Sequence, residues 1–282
     1  MKGALAWFDR RQPALPALGL AALAWELAPR CGLVDAILLP PLSRVLIAGF
    51  TMARSGLLAR HLLASLWRVG LGYGLAVVVA VPLGLALGLS PKLERRVSPL
   101  LHVLRPISPP AWVPLAILWF GIGDAPAVFI IFIGTVLALV VGIATATRSL
   151  DATQVEAAFT EGADRAQAVR WIILPSLSPV LFGQLRVGLA LAWMCVVAAE
   201  MVAVQSGLGY LLIEARNLFQ TERALVVMLV IGSLGLGFDR LLRAVEQRVL
   251  AWREGTTAEG VFERGRARFT PPAPRGTLSA PR

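Results

Sequence analysis

Lysine is almost missing from this sequence: Lys2 and Lys92 are the only two, and they are followed by Gly3 and Leu93. A phosphate-binding P-loop needs a lysine followed by Ser or Thr after a glycine loop, so the chain cannot carry that ATP site. Cysteine is limited to Cys31 and Cys195, which offers neither a disulfide framework nor a metal spacing. The two histidines, His61 and His102, stand isolated with no partner pattern, and neither catalysis nor metal binding is expected of them. Neither His-Glu-x-x-His nor Gly-x-Ser-x-Gly occurs, which removes the hydrolases built on those arrangements. Charge is scarce too, at 16% of residues, against roughly a quarter in soluble domains.

What fills the space is apolar. Hydrophobic residues make up 57% of the 282, and the mean hydropathy is +0.71. Two uncharged runs, Val69 to Ser90 and Ala125 to Thr147, are long enough to cross about 30 Å of hydrocarbon as helices. Four more candidate spans are shorter or carry a charge: Pro13–Cys31 with Glu26, Ser98–Phe120 with Arg105, Ser176–Ala203 with Arg186 and Glu200, and Arg223–Val249 with Asp239. The expected fold is an all-α membrane protein of about six transmembrane helices. Residues 1–60 form an anchor span and an outside loop, 61–250 the core, and 251–282 a disordered tail of scattered Arg, Glu and Pro.

The net charge of +10 is explained by its placement. With six spans and the N-terminus inside, 19 of the 27 Lys and Arg fall on the inner side. That is the positive-inside bias that orients membrane helices, and no nucleic-acid partner is needed to account for it. The N-terminal apolar stretch begins only after Arg10-Arg11-Gln12 and has no small-x-small cleavage site, so it is expected to stay as an anchor.

Within the core, Pro106, Pro109, Pro110 and Pro114 crowd one half of the third span. Each removes a backbone donor and clashes with the preceding turn, so the helix must break. In a membrane such a break belongs where protein packs around it or a wet path runs beside it. Pro91 to Arg96 reads as a short basic turn, and Ser43 to Ala53 as a weakly amphipathic piece along the surface. Two Gly-x-x-x-Gly pairs, Gly70/Gly74 and Gly84/Gly88, would allow close helix approach.

Between the fourth and fifth spans lies a polar island, Glu156 to Pro175. Its helix formers are broken once by Gly162, which predicts a helix, a glycine corner and a second helix. Ala157 and Ala158 keep one face low for an approaching partner, while Glu156 and Glu161 offer charge. Arg165 and Arg170 would hold the second arm at the membrane boundary, and Pro175 suits the first turn of the fifth span. An ordinary amphipathic connector would share this composition.

The full spacing is more specific. Glu156-Ala157-Ala158, then Gly162, then Ile172, Leu174 and Pro175 closely resembles the EAA signature of bacterial ABC importer permeases, with every specified position filled. Leu104 to Pro114 with Ile117 to Gly121, Ala190 to Trp193, Ala198 to Met201 and Ser206 to Tyr210 are similar to the nitrate/sulfonate/taurine branch of that family. The resemblance covers most of the chain from about Pro40 to Arg253. It implies a type I importer fold and a multi-pass subunit of the bacterial inner membrane with both termini cytoplasmic. It also implies a homodimer in contact with membrane lipid, a cytoplasmic coupling loop over 151–175 seated in separate ATPase subunits, and a periplasmic solute-binding protein. No cofactor is expected in this chain, ATP and Mg being bound by the partner. Relatives tend to carry Pro and Asn in the fourth span where this chain has Ala138 and Gly142, which leaves the solute open.

Charges inside spans are expensive and usually face a bundle interior or a wet path. Arg186 and Glu200 are 14 residues apart and share a helix face. With Trp193, Pro109, Pro110 and Pro114 they are the candidate lining of a translocation path; the rival reading makes Arg186 and Glu200 structural. A secondary transporter or channel not driven by ATP is the alternative function, but it gives the island no partner to meet.

Overall fold

The structure is a computed structural model that describes residues 14–150 and 159–250, with Thr153 and Glu156 between them. Ala157 and Ala158 of the island and the tail expected over 251–282 lie outside the described residues. All regular elements described are helical. In chain order they are α1 (Ala14–Arg30), α2 (Leu42–Arg54), α3 (Leu57–Leu89), α4 (Pro91–Leu104), a 3₁₀ turn (Pro109–Trp112), α5 (Val113–Phe120), α6 (Asp124–Arg148), α7 (Arg165–Ala168), α8 (Leu174–Ala203), α9 (Leu208–Asn217) and α10 (Thr221–Val249).

Four of these are long and apolar enough to span a membrane: α3, α6, α8 together with its approach from Val169, and α10. The pair α4 and the stretch Pro109–Phe120 adds a fifth if counted as one broken span, bent by 85°. The break falls at the proline cluster, where Arg105 to Ser108 leave the helix. Of the expected six, α1 is the short one, with 17 described residues, or about 25 Å of helix against about 30 Å of hydrocarbon.

Two boundaries differ from expectation, and the amphipathic piece between them takes a definite form. The second span begins at Leu57, so His61 lies inside a helix and not in an outside loop. The surface piece at 43–53 is a helix, α2, joined to α1 through Glu26, whose carboxylate accepts from Ser43 N–H and Oγ at 2.9 Å each. The basic turn at 91–96 is instead the start of α4. Ser90 caps it, accepting from Leu93 N–H, Pro91 occupies a position that needs no donor, and Glu94 sits in the first turn.

The core is α6 packed between α3 and α8, with Ile130, Ile131, Leu139 and Ile143 of α6 fully buried. The α3–α6 contact is set by glycine. A Cβ on Gly72 would stand 2.8 Å from Ile131, and one on Gly84 would stand 2.7 Å from Ile143; Gly88 is equally crowded by Thr147. The constant separation of 59 residues in these pairs means the two helices run parallel and in register. The broken span between them supplies the return crossing. Of the two Gly-x-x-x-Gly pairs, Gly84/Gly88 faces α6, while a Cβ on Gly70 or Gly74 would meet open space. A stability contrast follows. Gly84→Ala forces overpacking and lowers stability by about 1–3 kcal/mol, whereas Gly74→Ala leaves it unchanged or raised. Thermal unfolding of the two detergent-solubilised variants measures the difference.

Candidate functional site

The island is built around one left-handed residue. Gly162 has φ +88° and donates its N–H to Phe159 O at 3.1 Å, closing the helical turn in which Thr160 Oγ1 bonds Glu156 O at 2.9 Å. Only glycine takes that conformation freely. The chain then restarts on a reciprocal cap: Asp164 N–H donates to Gln167 Oε1 at 2.9 Å, and Gln167 N–H to Asp164 Oδ1 at 2.7 Å. The expected glycine corner is present. The second arm, however, is not a separate helix. It passes through a wide turn, Val169–Ile173, in which Leu174 N–H reaches back five residues to Val169 O, and runs on into α8. Pro175 has no N–H to return, and the widened turn accommodates it within a continuous run from Val169 to Ala203.

The motif side chains divide accordingly. Glu156 is exposed, Ile172 and Pro175 are half-buried, and Leu174 is exposed. The anchoring residue is the neighbouring Ile173, buried with Leu177 and Ala146. Phe159 and Trp171 stand exposed on the island, with Arg170 over the Trp171 ring. An element fixed at its base with acidic and aromatic side chains on its surface is suited to docking.

At the opposite end of the bundle is a closed polar network. Arg68 is 2% exposed and Glu200 is wholly buried; Arg68 Nη1 bonds Glu200 Oε1 at 2.7 Å and Ser206 O at 2.7 Å. Its Nη2 donates to Ser206 Oγ and its Nε to Asp124 Oδ1, at 2.5 and 2.8 Å. Glu200 also accepts from Ser65 Oγ and from Gly209 N–H, the latter at 2.9 Å. Ser65 Oγ in turn accepts from Leu208 N–H at 2.9 Å, and Gly207 N–H donates to His61 Nδ1 at 3.0 Å. His61 stacks on Tyr210 with centroids 6.1 Å apart. Gly207 has φ +106°, and a Cβ there would collide with the Glu200 carboxylate. His61, Ser65 and Arg68 recur at four and three residues, one face of α3. That spacing was the available signal for the residues sequence reasoning passed over.

The remaining candidates are dispersed. Arg186 does not meet Glu200; it pairs with Glu246 of α10 and lies 3.6 Å from Asp239, which Arg243 also pairs. Trp193 donates Nε1–H to Ile231 O at 3.1 Å and packs edge-on to Phe238. Arg186, Trp193 and Asp239 do share a cavity of about 290 Å³ between α8 and α10. Pro109 is half-buried against Gly134, and Pro110 and Pro114 are exposed. No group of three metal-ligating side chains occurs among the described residues.

Two carboxylates face Arg68 in different settings, which separates their effects. Arg68→Met strands a buried Glu200 and lowers stability by about 3–5 kcal/mol. Asp124 is 61% exposed, and Asp124→Asn changes stability by about 1 kcal/mol or less. Detergent-phase unfolding of both variants tests the contrast.

Comparison with known proteins bears on this arrangement. Residues 80–251 match the family described as binding-protein-dependent transport system inner membrane component. The chain is 32% identical over 253 residues to the taurine transport system permease protein TauC of Escherichia coli, spanning 87% of this chain and 92% of that one. It is 30% identical over 195 residues to the nitrate import permease protein NrtB of Synechococcus elongatus, spanning 68% and 70%. An inward facing structure of the MetNI methionine ABC transporter superposes with a TM-score of 0.57 at 22% identity, over 68% of this chain and 98% of that chain, a likeness of fold. With the matched stretch running from the last third of α3 through the island to the end of α10, the chain belongs to the binding-protein-dependent transport system inner membrane components, the permease subunits of ABC importers.

Proposed function

We propose that two copies of this chain form the membrane path of an ATP-driven importer for a small anionic solute of the taurine, sulfonate or nitrate type. ATP and Mg are bound by separate ATPase subunits that seat on the island at 151–175, and a solute-binding protein delivers cargo at the Arg68–Glu200 end. The island end and both termini are cytoplasmic, in keeping with the basic residues concentrated there.

One observation carries this reading: the continuity of the island with a span. From Val169 to Ala203 the chain is one helical run of 35 residues, about 52 Å long at 1.5 Å per residue. Its island end is exposed and cornered on Gly162, and its far end holds Glu200. A push from a nucleotide-driven partner on Trp171 is thus delivered to the opposite end without crossing a loop, and one on Glu156 and Phe159 reaches the same run through the Gly162 corner. The chain has no P-loop lysine of its own, so the energy enters through such a contact. The anionic solute class is inferred from the relatives named for taurine and nitrate.

The island variants test the coupling. Glu156→Lys reverses the charge offered to the partner, and Gly162→Pro cannot adopt φ +88°. Both are expected to leave the spans inserted while ATP hydrolysis in the reconstituted complex no longer drives uptake. Undiminished ATP-dependent uptake in both variants would overturn the proposal.

A further inference from the structure

One polar crevice is used by neither end of the bundle described so far. It lies between α4 and the last turns of α6, beside Leu87 of α3, and has a volume of about 210 Å³. That is below the roughly 300–1,000 Å³ typical of clefts for drug-sized ligands, and it suits a small ion. Glu94, Ser98, His102 and Arg105 line it from α4, and Thr145 and Arg148 from α6. The four α4 residues form a single stripe, at steps of four, four and three.

The charges in this crevice do not cancel. Arg148 is taken up by Glu94, with which it forms an ion pair, and it also donates to Thr145 Oγ1 at 3.3 Å. The side chains of Ser98, His102 and Arg105 have no hydrogen bond or ion pair to any described residue. A guanidinium, an imidazole and a hydroxyl therefore line a small cavity with one positive charge left over. Their position follows from the broken span: α4 ends at Leu104, and beyond Arg105 the bend turns the chain onto another level of α6, with Pro109 against Gly134 and Trp112 edge-on to Phe129. A straight helix would have continued past this point. α4 itself has no buried residue, so hydrophobic packing does not account for its polar stripe.

We infer that the α4–α6 crevice is an oxoanion site, in which the Arg105 guanidinium binds two oxygens of one sulfonate, nitrate or phosphate group. The planar fork of arginine matches that geometry, and charge-assisted bonds of this kind are the strong ones. The Ser98 hydroxyl and a His102 ring N–H are the further donors, and the Glu94–Arg148 pair closes the end nearer the island. The anion is either the transported solute in the island-side half of its path or the headgroup of an anionic lipid. The first source rests on the permease reading above; the chemistry of the site does not.

The test uses the assembled transporter, with its ATPase subunits, in phosphatidylcholine nanodiscs. Cys31 and Cys195 are replaced by serine, and Ser98→Cys serves as reporter. Labelling rates are measured with sulfonatoethyl and trimethylammonioethyl methanethiosulfonate, each normalised to its rate on a free thiol. The anionic reagent is expected to be faster by about tenfold. Arg105→Gln should abolish that preference and Arg105→Lys retain most of it. Because both reagents are read on one sample, a variant that merely loosens the fold changes both rates and leaves the ratio. Protection by millimolar ethanesulfonate or nitrate assigns the site to solute, and protection by added phosphatidylglycerol alone assigns it to a lipid headgroup. Equal normalised rates, or a preference that survives Arg105→Gln, overturn the site. ATP-driven uptake by the same complex in closed liposomes is followed in parallel, and its absence would count against the proposed function without touching the labelling ratio.

Discussion

A charge buried among apolar helices has to be answered within the protein, and the answer given to Arg68 organises this chain. Its guanidinium uses four contacts to bring together the start of α3, the start of α6, the end of α8 and the turn before α9. Each partner is then constrained in turn. Glu200, wholly buried, accepts from Arg68, Ser65 and the Gly209 amide. Those bonds hold the Ser206–Gly209 backbone so close to α8 that a Cβ on Gly207 would meet the Glu200 carboxylate and one on Gly209 the Val197 carbonyl. Breaking such a pair from one side costs several kcal/mol, because the charge left behind is stranded. The network therefore specifies which helix ends meet, a role that hydrophobic burial, being non-directional, cannot fill.

The glycine contacts perform the complementary task along the helix axes. Gly72, Gly84 and Gly88 let α3 lie against Ile131, Ile143 and Thr147 with a fixed register. In a membrane, where lipid tails are as apolar as leucine, such close approach is the main source of helix association. Because α3 and α6 are parallel, the intervening chain must cross back, and it does so as the bent pair of α4 and α5. The bend at the proline cluster follows directly on the α4 stripe, whose Arg105 guanidinium has no partner among the described residues.

The all-helical architecture was legible because long uncharged runs and proline clusters act locally. The break near Pro106 to Pro114, the span over 125–147 and the Gly162 corner all follow from residues acting within a turn or two of themselves. The helix starts were less legible. α3 extends back to Leu57 because His61, Ser65 and Arg68 are satisfied by partners more than 130 positions away, and nothing in their own neighbourhood announces that. The same limit applied to α8. Helical spacing places Arg186 and Glu200 on one face, but a face is not a destination: one turns to α10 and the other to α3. The recognisable motif segments fared better as markers than as roles. Ser206 to Tyr210 and Glu200 belong to the network, yet their partners on α3 lay outside the segments that carried the resemblance.

These constraints decide how a displacement of the island can travel. The long run from Val169 to Ala203 is tied at its far end by Glu200 to Arg68, in its middle by Gly188 against Leu139, and near its base by Ile173 and Leu177 against Ala146. Arg186 adds a connection to α10 through Glu246. Bending α8 alone would have to open the Arg68–Glu200 pair, expose a buried carboxylate and pull Gly188 from its contact. Each is unfavourable by more than thermal energy supplies. α10, with only Val226 and Val227 buried, offers far less resistance, and α4 offers less still. Motion imposed at the island would therefore be carried by α3, α6 and α8 tilting together as one body, with the weakly held α4 and α10 taking up the change. That division places the crevice between α4 and α6 on the seam between a rigid unit and a yielding one.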